Sequence, residues 1–175
     1  MKHEIIVRSL SSLDSNYEQE LSELLIEVVG DGASIGFLPP LVIDEAIAYW
    51  RSVLSPGVLL WVAIENERIV GTVQLHLASK ANALHRAEVA KLMVHPDHRR
   101  KGIAGILMDT AENAAAANDR ELIVLDTREG DPSNLLYQAR GFIEAGRIPN
   151  YARNGDGELD TTVIYYKICS NKKEY

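Results

Sequence analysis

Apolar residues along the chain recur at two spacings, and the switches between them mark out a succession of short elements. The β-branched run "EIIVRSL" predicts a first strand. Asp14 is placed to cap a helix in which Leu21, Leu24, Leu25 and Val28 share one face until Gly30 and Gly32 end it. The next segment, "DGASIGFLPP", holds too many glycines and prolines for regular structure and leads to a second helix over Ile43 to Val53, closed by Pro56 and Gly57. "VLLWVAIEN" and "RIVGTVQLHL" flank a polar turn and predict an antiparallel hairpin. "HRAEVAKLMV" is a fourth strand, which Pro96 stops.

From Gly102, the residues Ile103, Ile106, Leu107 and Thr110 fall on one face of a third helix that reaches about Asn118. "LIVLDT" reads as a fifth strand buried on both faces, and "REGDPSN" connects it to a short helix carrying Leu135, Leu136 and Tyr137, closed by Gly141. "FIEAGRI" and "TTVIYYKI" are the last strands, with "PNYARNGDGELD" as the polar connection between them. The predicted order is β-α-α-β-β-β-α-β-α-β-β, an α/β chain that forms a single domain over residues 1–175.

Composition narrows the function classes. With 18 basic and 25 acidic residues the net charge is −7, which argues against binding nucleic acid or anionic membrane through overall charge. No apolar run is long enough to span a bilayer and the N-terminus lacks a signal-peptide core, so a cytoplasmic protein is expected. The single Cys169 excludes an internal disulfide or a multi-cysteine metal site. His95 and His98 lack a convergent third ligand and read as solvated turn residues, so no metal is expected.

Chemistry concentrates in "VHPDHRRKGIAGILM", where a strand end, a basic glycine-containing turn and a helix start follow one another. A helix N-terminus presents unpaired N–H groups and partial positive charge, and glycine allows close approach of an anion, so this turn suits a phosphate-bearing cofactor. A Walker A loop and a Gly-x-Gly-x-x-Gly fingerprint are both absent. Arg99-x-x-Gly102-x-Ala104 resembles the pyrophosphate-binding signature of the GNAT superfamily of acetyl-CoA-dependent N-acetyltransferases, and "LLYQARGF" resembles that superfamily's tyrosine-bearing helix. "GASIGF", "NALHRAEVAKLMV", "LDTREG" and the closing "YARNGDGEL…TTVIYYK" are similar to the tabtoxin-resistance group of these enzymes, over about Leu21 to Lys167.

The resemblance implies a mixed, mostly antiparallel sheet of six to seven strands flanked by about four helices, and an acetyl transfer from acetyl-CoA to a primary amine. Only the neutral amine attacks a thioester, and a lysine-like amine is neutral in roughly one molecule in 2500 at pH 7, about 4 to 5 kcal/mol of barrier. A positioned base lowers that barrier. Glu88 and Asp126 are the two candidates, and Tyr137 is the candidate acid for the departing thiolate.

Met93 and Val94 are expected to meet the pantetheine arm through backbone amides at a bulge. The backbone of Arg99, Arg100, Lys101, Gly102, Ile103 and Ala104 would hold the pyrophosphate, the three cations adding charge. Gly130 stands where many members have a cofactor-touching asparagine, and Ser133 or Asn134 would substitute. For the acceptor, the resemblance points to Ser34, Phe37, Arg86 and Tyr151, with Arg86 suited to gripping a carboxylate. The expected partner is a small amino-acid-like amine. A protein N-terminus, a polyamine or an aminoglycoside are alternative acceptors, a non-catalytic acyl-CoA sensor is the alternative to an enzyme, and a homodimer is plausible from exposed strand edges near the C-terminus.

Overall fold

The computed structural model describes residues 4–169, and among them the eleven elements follow in the predicted order. They are β1 (Ile6–Leu10), α1 (Ser15–Gly30), α2 (Ile43–Val53), β2 (Val58–Glu65), β3 (Arg68–Leu77), β4 (Arg86–Val94), α3 (Ile103–Ala117), β5 (Leu122–Arg128), α4 (Ser133–Ala139), β6 (Ile143–Arg153) and β7 (Leu159–Ile168). The strands form a seven-stranded sheet in the order β1-β2-β3-β4-β5-β7-β6. All neighbours are antiparallel except β4 and β5.

Two hydrophobic layers sandwich the sheet. The Asp14 carboxylate accepts from the Tyr17 amide and starts α1, and its apolar stripe packs with Trp50 of α2 onto Leu60, Val62 and Met93. On the opposite face α3 and α4 bring Ile103, Leu107, Met108 and Tyr137 against Trp61, Leu75, Val89, Leu125 and Tyr165. Each fully buried Leu or Ile among these contributes about 1.5 to 3 kcal/mol of transfer free energy.

Two of the sequence expectations need correction. In β5, Ile123 and Leu125 are buried toward α3, whereas Leu122 and Val124 are only half-covered, so the strand is not buried on both faces. The last connection is shorter than its polarity suggests, because β6 continues to Arg153 and the turn is confined to residues 154–158. As an edge strand exposed on both sides, β6 carries polar residues on both faces and so lacks alternation.

The feature that makes room for a site is the split between β4 and β5. Their parallel ladder has three rungs, Arg86 to Leu122, Ala87 to Ile123 and Glu88 to Val124, after which the strands diverge. Beyond it β4 carries an extra residue against β3, since Thr72 pairs with Met93 but Gln74 with Ala90. The bulge bends β4 away while β5 stays paired with β7 to its end.

Candidate active site

The split opens into a cleft of about 410 Å³ lined by Ser34, Glu88, Lys91, Asp126, Ser133, Tyr137 and Tyr151, among others. Alternation along the strands explains the convergence. Ala87, Val89, Ile123 and Leu125 are committed to the α3 layer, so Glu88 and Asp126 face the other way, into the mouth of the split. Both carboxylates are exposed. Asp126 already accepts from Thr162 Oγ1 at 3.0 Å, whereas Glu88 has no side-chain hydrogen bond among the described residues.

Tyr137 enters the same cleft from the α3 side. Its ring is wedged between Phe142 (5.9 Å between centroids) and Tyr165 (6.0 Å), leaving it 6% exposed. Burial pushes the phenol well above its ordinary pKa, and the negative charge of Asp126 pushes it further the same way. The group is therefore held protonated at any working pH.

Sequence reasoning missed Lys91. Strict alternation assigns it to the core-facing row of β4, but it occupies the extra position of the bulge with φ of 53°, and the bulge re-aims its side chain into the cleft. A left-handed backbone at a non-glycine residue costs roughly 1 to 2 kcal/mol. Burial lowers the pKa of its ammonium, opposed by the fields of Asp126 and Glu88. Behind Glu88, on the paired strand, His76 bonds Gln74 Oε1 at 2.8 Å, and Gln74 Nε2 donates to the Tyr49 hydroxyl at 3.0 Å.

A second groove, about 930 Å³, runs along the N-terminus of α3 and is lined by Met93, Val94, Arg99, Arg100, Gly102, Ile103 and Ala104. It shares Ala33, Leu92, Arg128, Asp131 and Ser133 with the first, so the two are continuous. Gly102 takes φ of 81° with no side-chain cap, and a Cβ there would meet nothing within 4 Å, leaving the first amides of α3 open to an anion. The Met93 side chain is core, 3% exposed, which leaves its backbone for the groove. These features fit the phosphates and pantetheine arm of acetyl-CoA. Ile103, Ala104 and their neighbours would hold the former, and the β4 backbone beyond the split the latter.

Several sequence-predicted residues have other duties. Arg99 is tied to Asp31 at 2.5 Å, and Lys101 turns away from the groove to Glu65 at 3.3 Å, so of the three cations only Arg100 has no ion pair among the described residues. His98 is not a solvated turn residue, since its Nδ1 meets the buried Glu65 carboxylate at 2.5 Å. Asn134 is spent inside the fold. Its amide donates to the Arg128 and Asp131 carbonyls, both at 2.9 Å, and its oxygen accepts from the Tyr165 hydroxyl at 2.9 Å, leaving Ser133 as the one that reaches the groove.

Phe37 turns inward, edge-on to Tyr49 at 5.0 Å, and braces the loop rather than lining the cleft. Arg86 sits at the closed, hydrogen-bonded end of the split, on the same face as Glu88 but outside the lining. Tyr151 does line the cleft, from β6 rather than from a loop. Among the described residues no cluster of His, Cys, Asp or Glu has metal-holding geometry, and no helix is long and apolar enough to cross a membrane.

Comparison with known proteins places these features in a family. A model of the acetyltransferase (GNAT) domain matches residues 56–144. Human N-acetyltransferase 8 is 34% identical over 100 residues, 55% of this chain and 44% of that protein, so the chain matches a little under half the length of this relative. A putative acetyltransferase from Salmonella typhimurium, solved with its cofactor acetyl-CoA, superposes with a TM-score of 0.77 at 17% identity, over 97% of this chain and 96% of that one. A putative phosphinothricin N-acetyltransferase gives 0.78 at 18% identity, over 96% and 100%. Both solved structures share the fold.

Proposed function

We propose, on the premise that the chain belongs to the acetyltransferase (GNAT) family, that it moves an acetyl group from acetyl-CoA to the primary amine of a small, amino-acid-like molecule by direct attack. The observation that carries the reading is the continuity of the two grooves beyond the β4–β5 split, with Glu88, Asp126 and Tyr137 all in the lining of the first of them. A binding module without turnover has no use for two carboxylates and a buried phenol at that point.

Acetyl-CoA, when bound, supplies an activated acetyl thioester. The chain supplies position and proton traffic. Asp126, with one oxygen held by Thr162, is fixed as an anchor for the acceptor ammonium, and Glu88, whose side chain makes no hydrogen bond among the described residues, takes the proton that the amine must lose, directly or through a water. The backbone amides beyond the β4 bulge polarise the thioester carbonyl. Tyr137 gives its proton to the leaving sulfur; a phenol raised by burial is a weaker acid than a free one, and donation to a thiolate is uphill but feasible.

Acetylation removes the acceptor's charge and nucleophilicity, which is how such a transfer inactivates an amino-acid-derived toxin. The test is thiol release from acetyl-CoA over amino acids, β-lactam dipeptide analogues, polyamines, aminoglycosides and short peptides. Turnover confined to amino-acid-like amines supports the reading, turnover of another class moves the acceptor, and acetyl-CoA binding without any thiol release returns the chain to a sensor.

A further inference from the structure

We propose that Lys91 is the anchor for a carboxylate on the acceptor, and so the residue that selects amino-acid-like amines over purely cationic ones. The inference deepens the transfer reading above and rests on it. Two cations line the acceptor cleft, Lys91 and Arg128. Arg128 is fully occupied, bonded to Asp131 at 2.9 Å, facing Asp160 at 3.5 Å and donating to the Gly32 carbonyl at 2.9 Å, so it holds the first loop in place.

Lys91 is different. It is half-buried, yet among the described residues its ammonium has no ion pair within 4 Å and no hydrogen bond. It lies within the fields of Glu88 and Asp126 without touching either, and its Nζ lies close to Gly36, where an added Cβ would come within 3.5 Å. A partly desolvated cation with no partner among the described residues, set there by its own left-handed bulge backbone, is a group waiting for an anion.

The neighbouring carboxylates say which anion. A phosphate or dicarboxylate entering here would be repelled by Glu88 and Asp126, whereas a zwitterion satisfies both signs, its ammonium toward the carboxylates and its carboxylate toward Lys91. A polyamine or aminoglycoside would meet Lys91 as a like charge. Arg86, the earlier candidate for this duty, lies outside the cleft.

The test compares α-amino acids with their own primary amides, with spermidine and an aminoglycoside alongside, in the intact protein and in Lys91→Met, Lys91→Glu and Lys91→Arg, all checked for folding by thermal melting. The expected result is an acid-over-amide preference of about tenfold or more in kcat/KM, carried by KM, which collapses toward one in Lys91→Met, inverts in Lys91→Glu and largely survives in Lys91→Arg. Equal use of acids and amides by the unmodified protein, or a preference unchanged in Lys91→Met, overturns the anchor. Turnover of only spermidine or the aminoglycoside overturns the anchor and leaves acetyl transfer standing, while absence of thiol release with every amine overturns both.

Discussion

Glu88 stands directly opposite Val124, and theirs is the last rung between β4 and β5. That register puts a carboxylate where the two strands begin to part, in the lining of the acceptor cleft. Glu88→Gln keeps the shape of the side chain and removes its basicity, so kcat is expected to fall by about 10² to 10⁴ while acetyl-CoA affinity by calorimetry stays within about twofold. Asp126→Asn, by contrast, should act mainly on the KM of the acceptor. A larger kcat loss in Asp126→Asn than in Glu88→Gln would exchange the two roles.

Tyr137 sets the expectation for pH. Its folded pKa is raised, by burial first and by Asp126 second, so the phenol keeps its proton across the range in which an acceptor amine loses its own. The rate should therefore climb with pH and show no downturn due to Tyr137 below about pH 10. Tyr137→Phe should lower kcat by about 10² or more and keep the climbing limb. A wild-type downturn near pH 8 to 9 that vanishes in Tyr137→Phe would contradict the raised pKa, and an unchanged rate would remove the acid.

How far the sequence reveals this site depends on the range of the interactions. Element order follows from local periodicity, and the turn at Gly102 from its neighbours, so both are legible. Lys91 is not, because a single inserted residue reverses the face of a strand and leaves no mark on apolar spacing. The pairing of His98 and Lys101 with Glu65 spans 33 and 36 positions, and nothing local announces it. Arg86 looks well placed by its proximity to Glu88 in sequence, yet two residues along β4 are enough to carry it out of the open part of the split into the paired part.

Asn134 separates structural from cofactor-binding duty. Its side chain closes the β5–α4 turn with three hydrogen bonds, one of them from Tyr165, so Asn134→Ala should cost about 2 kcal/mol, a fall in Tm of roughly 4 to 8 °C. Acetyl-CoA affinity at a temperature well below the melt should change less than about threefold. An intact Tm with a large loss of affinity would return Asn134 to the cofactor.

Glu65 ties the end of β2 to the basic turn, and its removal tests whether that turn is held from behind. Burial alone would raise its pKa, but His98 and Lys101 outweigh burial and leave the carboxyl below its ordinary value. A folded pKa depressed below the unfolded one means that the contribution to stability is present above about pH 4.3 and is lost as pH falls through the folded value. Glu65→Gln should therefore melt below the wild type at pH 7, with the gap narrowing below about pH 4, where the wild-type carboxyl takes up its proton as well. Freed from Glu65, His98 and Lys101 no longer hold the turn that presents Gly102 and the α3 amides, so the Kd for acetyl-CoA should rise several-fold while kcat at saturating acetyl-CoA stays within about twofold. A lowered Tm with unchanged Kd would make the cluster a structural clasp alone, and a kcat loss as large as that of Tyr137→Phe would place the turn's geometry in the transfer step itself.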